Sequence, residues 1–163
     1  MASWPDFVAA EPRFAAAVHA LIHQYGPGLA YLATIRPDGG PRVHPVSPLI
    51  TDDALYCFVI DSPKRRDLDR DGRYALHSFP PESTDDEAYL SGRVRQVTDL
   101  ERVAELARAN RAAPRVDWRV YELTIEVALL VRHGEPVTDT GDPGHACRLV
   151  WHDPALSRSA RRG

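Results

Sequence analysis

From Leu29 onward the apolar positions fall in short runs that alternate with polar residues, the texture of β-strands; before Leu29 they recur at helical spacing. Phe14, Val18, Leu21, Ile22 and Tyr25 fit one helix face, and Gly26-Pro27 stops it. That spacing predicts a helix from about Phe7 or Pro12 to Tyr25. Leu29–Ile35 and Arg42–Ile50 read as the two arms of a hairpin about Arg36-Pro37-Asp38-Gly39-Gly40. Pro45 and Pro48 place the second arm on an edge or at a bulge, because neither can donate to a ladder. Asp52-Asp53 turns the chain into a strand, Ala54–Ile60, and a helix from Pro63 ends near Asp71-Gly72. Strands follow at Arg73–Phe79 and Glu87–Val97, around a polar loop, Pro80–Asp86, expected to be mobile. Gly92 inside the latter strand predicts a bulge or a close backbone approach.

Thr98-Asp99-Leu100-Glu101 has the form of a capping box with Thr98 as N-cap, opening a helix to about Asn110. A long strand, Trp118–Val131, a Gly/Pro/Asp-rich loop, His133–His145, and a short strand, Cys147–Trp151, complete the order. Tight hairpins without βαβ alternation predict a mainly β protein: an antiparallel split β-barrel with flanking helices. Residues 1–155 form one domain, and 156–163 a basic tail expected to be disordered.

Composition narrows the function. A net charge of −3 gives no global attraction to nucleic acid or to an anionic membrane, so any anion site must be local. No apolar run approaches the roughly 20 residues of a membrane span, and the N-terminus lacks the basic and apolar regions of a signal peptide. Cys57 and Cys147 form no disulfide or metal pattern, so a reduced cytoplasmic protein is expected. Nucleophilic catalysis finds no Gly-x-Ser-x-Gly and no cysteine beside a base; no Walker sequence is present. His19 and His23 lie four apart without a supporting carboxylate or Cys, which suits a surface pair better than a metal site.

One stretch carries more chemistry. Leu55–Ile60 runs into Asp61-Ser62-Pro63-Lys64-Arg65-Arg66, where Ser62 suits an N-cap and Pro63 the first helical position. Three cations in the first turn are electrostatically misplaced unless an anion joins them, most simply a phosphate. Lys64 is the single lysine among 20 Lys and Arg residues, which points to a need for a compact ammonium. The same residues also describe an ordinary strand-to-helix junction with a solvated Lys64.

The order Ala33–Val46, Ala54-Leu55-Tyr56, Ser62-Pro63-Lys64, Arg73–His77 and Leu90–Val94 resembles the pyridoxamine 5′-phosphate oxidase-like superfamily, and within it the actinobacterial flavin/deazaflavin oxidoreductase branch. The resemblance spans roughly residues 28–131. It implies a homodimeric split barrel with FMN in interface grooves and hydride transfer to or from a small organic substrate. By position, Ser62 and Lys64 match the cofactor-phosphate motif, with Arg65 beside them. Arg42, Val43, His44 and Pro45 match the strand along the isoalloxazine ring, and Phe58 and Val59 fall where the ring and ribityl chain are lined. Asp67 stands where many relatives carry Asn, Phe58 replaces a frequent Thr, and Glu87 falls near a family glutamine. Each change weakens a polar contact to FMN or adds negative charge. No lysine stands near Ser47, so oxidation of the vitamin phosphate is not implied.

His44 and Tyr89 are the candidates for a substrate proton donor. Two alternatives stay open. One is a reductase using the deazaflavin coenzyme F-420, its longer anionic tail met by Arg65 and Arg66. The other is a non-catalytic flavin or haem binder, in which His44, His77 or His133 would ligate iron.

Overall fold

A computed structural model describes residues 1–113, 116–133 and 147–159. The N-terminal apolar pattern forms two helices, α1 (Trp4–Ala10) and α2 (Pro12–His23). The break falls at Glu11 because the residue before a proline is pushed out of the helical region, and Glu11 has φ −139° and ψ 68°. Ser3 caps α1 in a box with Asp6, a signal the spacing of apolar residues does not show.

The strands are β1 (Ala30–Ile35), β2 (Pro41–Val46), β3 (Pro48–Ile50), β4 (Leu55–Ile60), β5 (Arg73–Ser78), β6 (Glu87–Gln96), β7 (Trp118–Arg132) and β8 (Cys147–His152). Between them lie helices α3 (Pro63–Arg70) and α4 (Leu100–Ala109), and α5 (Pro154–Ser159) follows β8. The sheet runs β2-β1-β5-β6-β7-β4-β3, with β8 also on β7, and each of these pairings is antiparallel. This is the expected antiparallel split-barrel architecture.

The expected strand Arg42–Ile50 is divided at Ser47. Its halves, β2 and β3, lie at opposite ends of the sheet path, so this one crossing joins the two edges of the curled sheet. The hairpin turn is as expected: Gly39 takes φ +82°, and Arg36 N–H donates to Gly40 O. The bulge at Gly92 is also present, with the register shifting between Ser91 and Gly92. A Cβ at Gly92 would collide with the Thr124 carbonyl.

Thr98 is not the cap of α4. Asp99 is, its Oδ1 accepting from the N–H groups of Glu101 (2.9 Å) and Arg102 (3.3 Å). One carboxylate oxygen meets two free donors, which a threonine hydroxyl one residue earlier cannot do. Helix α5 takes in residues 156–159 of the expected tail; residues 160–163, and the loop segment Val137–Gly144, lie outside the described residues.

The main core fills the barrel interior with Leu32, Leu55, Cys57, Val59, Leu76, Leu90, Leu123 and Ile125, plugged by Phe7, Phe14, Val18 and Ile22 of α1 and α2. A second cluster lies outside β4, where Tyr56, Phe58 and Val120 meet Leu106 of α4. No described helix is long and apolar enough to cross a membrane.

Candidate cofactor site

Strand β4 is buried on both faces, so its apolar run does not reveal which side chain faces where. Pairing settles it: Leu55, Cys57 and Val59 point into the barrel, whereas Tyr56 and Phe58 point outward under α4. Val59 is fully buried in the main core, so only its backbone, and not its side chain, can line a ligand. Phe58 stands edge-to-face with Trp118, ring centroids 6.2 Å apart. These two rings wall a groove of about 290 Å³ at the break between β2 and β3, which Pro45, Val46 and Ser47 border from the other side. Lys64 and Asn110, the C-cap of α4, also line it.

The junction Ile60–Pro63 delivers the helix start expected from the sequence, with one difference. Ser62 occupies the N-cap position but its hydroxyl donates to Ile60 O (2.9 Å) and does not cap the helix. The first turn therefore lacks a side-chain acceptor for its N–H groups.

Its cations are not equivalent. Arg65 is buried and held by Asp61 (3.0 Å) and by the carboxylate (2.9 Å) and carbonyl (3.2 Å) of Asp117, so its guanidinium is already committed. Arg66 is exposed and 3.4 Å from Asp61. Lys64, half-buried in the groove, makes no hydrogen bond or ion pair among the described residues.

On β2, Arg42, His44 and Val46 share the register of Thr34, Leu32 and Ala30 and so face inward, while Val43 and Pro45 face outward. Arg42 bonds Asp67 at 2.7 Å, and Asp67 also accepts from Thr34 (3.0 Å) and Arg70 (3.3 Å). Burial opposes ionisation of Asp67, but the bonds from Arg42 and Thr34 outweigh it and hold the carboxyl below its usual range. The negative charge that set this position apart in the sequence is thus neutralised internally. His44 has a buried Nε2 with no hydrogen-bond partner among the described residues. Burial lowers its pKa, and Lys64 and Arg42 lower it further.

Other candidates lie elsewhere. Tyr89 is on β6, paired with His77 and Leu129, and faces outward; His44 is three strands away on the inward face. The two proton-donor candidates are not brought together. His77 and Glu87 bond each other at 3.1 Å on that same outer side, so Glu87 is outside the groove. The backbone N–H of His133 donates to Asp86. No group of three metal-ligating side chains occurs among the described residues. Trp118 and Asn110 escaped the sequence reading because they reach the groove only through the pairing of β7 with β4 and the docking of α4.

The family model for pyridoxamine 5′-phosphate oxidase matches residues 14–132. The chain belongs to the pyridoxamine 5′-phosphate oxidase family. Among solved structures it is similar to a haem-binding protein from Mycobacterium smegmatis, with 19% identity and a TM-score of 0.57 over 82% of this chain and 57% of that one. An F-420 reductase shows 19% identity and a TM-score of 0.55 over 68% of this chain and 94% of the other. A haem storage protein from Vibrio cholerae shows 14% identity and a TM-score of 0.52 over 70% and 91%. At these identities the likeness is one of fold. No curated protein matches the chain significantly.

Proposed function

We propose that this family member is an FMN-dependent oxidoreductase whose cofactor phosphate sits at the start of α3. The observation that carries the reading is Lys64: a half-buried ammonium without a partner among the described residues, at a helix start without a side-chain cap, lining an aromatic-walled groove. Lys64 would hold the phosphate through its ammonium and its backbone N–H, and the Ser62 hydroxyl would join them only by giving up its bond to Ile60 O. The backbone at Pro45, Val46 and Ser47 would run beside the ring, with Phe58 and Trp118 as the apolar wall. Bound there, the flavin supplies hydride transfer; the protein's part is to bind, orient and exclude water.

A volume of about 290 Å³ is at the lower end of ligand pockets, roughly 300–1,000 Å³, and suits a groove that a second copy of the chain covers. The substrate would be a small organic molecule entering over the exposed ring. Two unpaired cysteines suit a reducing compartment such as the cytoplasm.

FMN is favoured over the F-420 coenzyme because the two arginines that would meet a longer anionic tail already face acids, Arg65 with Asp61 and Asp117 and Arg66 with Asp61. Haem is disfavoured because none of His44, His77 and His133 is among the residues that line the groove. The test is a melting-temperature screen with FMN, F-420 and haem, repeated on Lys64→Ala. Ligand binding to the native state must raise the melting temperature by mass action. Stabilisation by FMN that disappears in the variant is the expected result; no shift, or a shift indifferent to Lys64, rejects the reading.

A further inference from the structure

His44 is the one described imidazole with a buried ring nitrogen that lacks a partner. Buried polar groups nearly always find one, and His44 directly precedes Pro45 and Val46 of the groove lining, so its orphan nitrogen points to a ligand that completes it. Three charged groups act on the ring: Arg42 from its own strand, and Lys64 and Asp67 from α3. Asp67 is no acceptor in reserve, since Thr34, Arg42 and Arg70 already use its oxygens. Lys64, by contrast, makes no hydrogen bond or ion pair among the described residues. Lys64 precedes Asp67 by one turn on α3, and Arg42, on the same face of β2 as His44, bonds Asp67, so this β2–α3 junction gathers more cations than carboxylates among the described residues.

We propose that His44 is a proton-coupled member of the phosphate site: neutral while the site is open, and an imidazolium donating from Nε2 once a phosphate is held. The inference rests on the phosphate reading of the α3 junction and adds to it a linked proton. In the open protein, burial and the two cations keep the ring uncharged, Asp67 acting weakly the other way. A phosphate dianion beside Lys64 and Arg42 reverses the local field and supplies the missing acceptor. One proton then enters with the ligand, taken by His44 from solvent. The His44 contribution to affinity falls as pH rises from its open-state midpoint to its bound-state midpoint, while the dianion itself is lost below the ligand's second ionisation, about pH 6, so affinity passes through a maximum.

The experiment is an NMR titration of the His44 ring in the full chain, alone, with inorganic phosphate and with FMN. Lys64, the single lysine, gives one unambiguous side-chain signal that reports binding independently. The expected result is a His44 midpoint raised by about one pH unit or more on binding, equivalent to about a tenfold pH-dependent change in affinity. In His44→Gln the remaining pH dependence is that of the ligand's own second phosphate ionisation, near about pH 6. A Lys64 signal that moves while the His44 midpoint stays fixed overturns the proposal and leaves the site standing. A Lys64 signal unmoved by either ligand overturns both. The wild-type titration decides the matter even if His44→Gln does not fold.

Discussion

Replacing Asp67 by Asn removes one charge at almost constant volume, at a position where the internal charge balance of the site is set. The carboxylate is 3% exposed and accepts from Thr34, Arg42 and Arg70. A hydrogen bond to a charged group contributes about 1.5–3 kcal/mol, and breaking a fully buried ion pair costs about 3–5 kcal/mol. Arg42 and Arg70 are 28% and 40% exposed, so water can solvate the guanidinium groups the variant releases. The lower figure therefore applies, about 2 kcal/mol, or about 4–8 °C in melting temperature for a chain of this size. The sign with pH follows from the depressed carboxyl pKa. Its stabilisation is fully present above the unfolded value, about 3.9, and is lost as pH falls through the folded value. Urea unfolding from pH 7 to pH 3 should show wild type and Asp67→Asn converging at the acid end. Phosphate affinity should move the other way, about two- to fivefold tighter at pH 7, since Arg42 is set free, worth about 0.5–1 kcal/mol. Equal stability at pH 7, or a gap that persists undiminished to pH 3, would refute this reasoning.

Three further outcomes test the fold. Gly92→Ala should lower unfolding free energy by about 3 kcal/mol in chemical denaturation, because the new methyl meets the Thr124 backbone and not a flexible side chain. Asp99→Ala should cost about 1 kcal/mol, whereas Thr98→Ala should change denaturation midpoints negligibly, reversing what the capping-box motif suggests. The Cys57 thiol, pushed up to about 12 by burial, should resist a thiol reagent in the native protein at pH 8 and react at once in denaturant.

Much of the architecture was legible because it is written in local chemistry. The Pro37-Asp38-Gly39-Gly40 turn, the Gly92 bulge and the strand-to-helix junction at Ser62-Pro63 each depend on residues within a few positions of one another. The division of one apolar run at Ser47 was not, because β2 and β3 have the same texture and part company only when the sheet curls. The inward direction of the Val59 side chain was not legible for a related reason: α4 buries the outer face of β4, erasing the alternation that would assign faces. The engagement of Arg65 depends on Asp117, fifty-two positions away in sequence. Asp67 looked like an added charge and is instead a neutralised one, again through partners distant in the chain.

The claim that a phosphate is held at the start of α3 is tested most directly by comparing FMN with riboflavin, which has the same ring and no phosphate. Flavin fluorescence titrations of the full chain and of Lys64→Ala give the four affinities. The account predicts that FMN binds the wild type at least about tenfold more tightly than riboflavin, a charge-assisted contact of about 1.4 kcal/mol or more, and that the gap closes in the variant. Equal affinities in the wild type, or a gap that survives loss of Lys64, would contradict it.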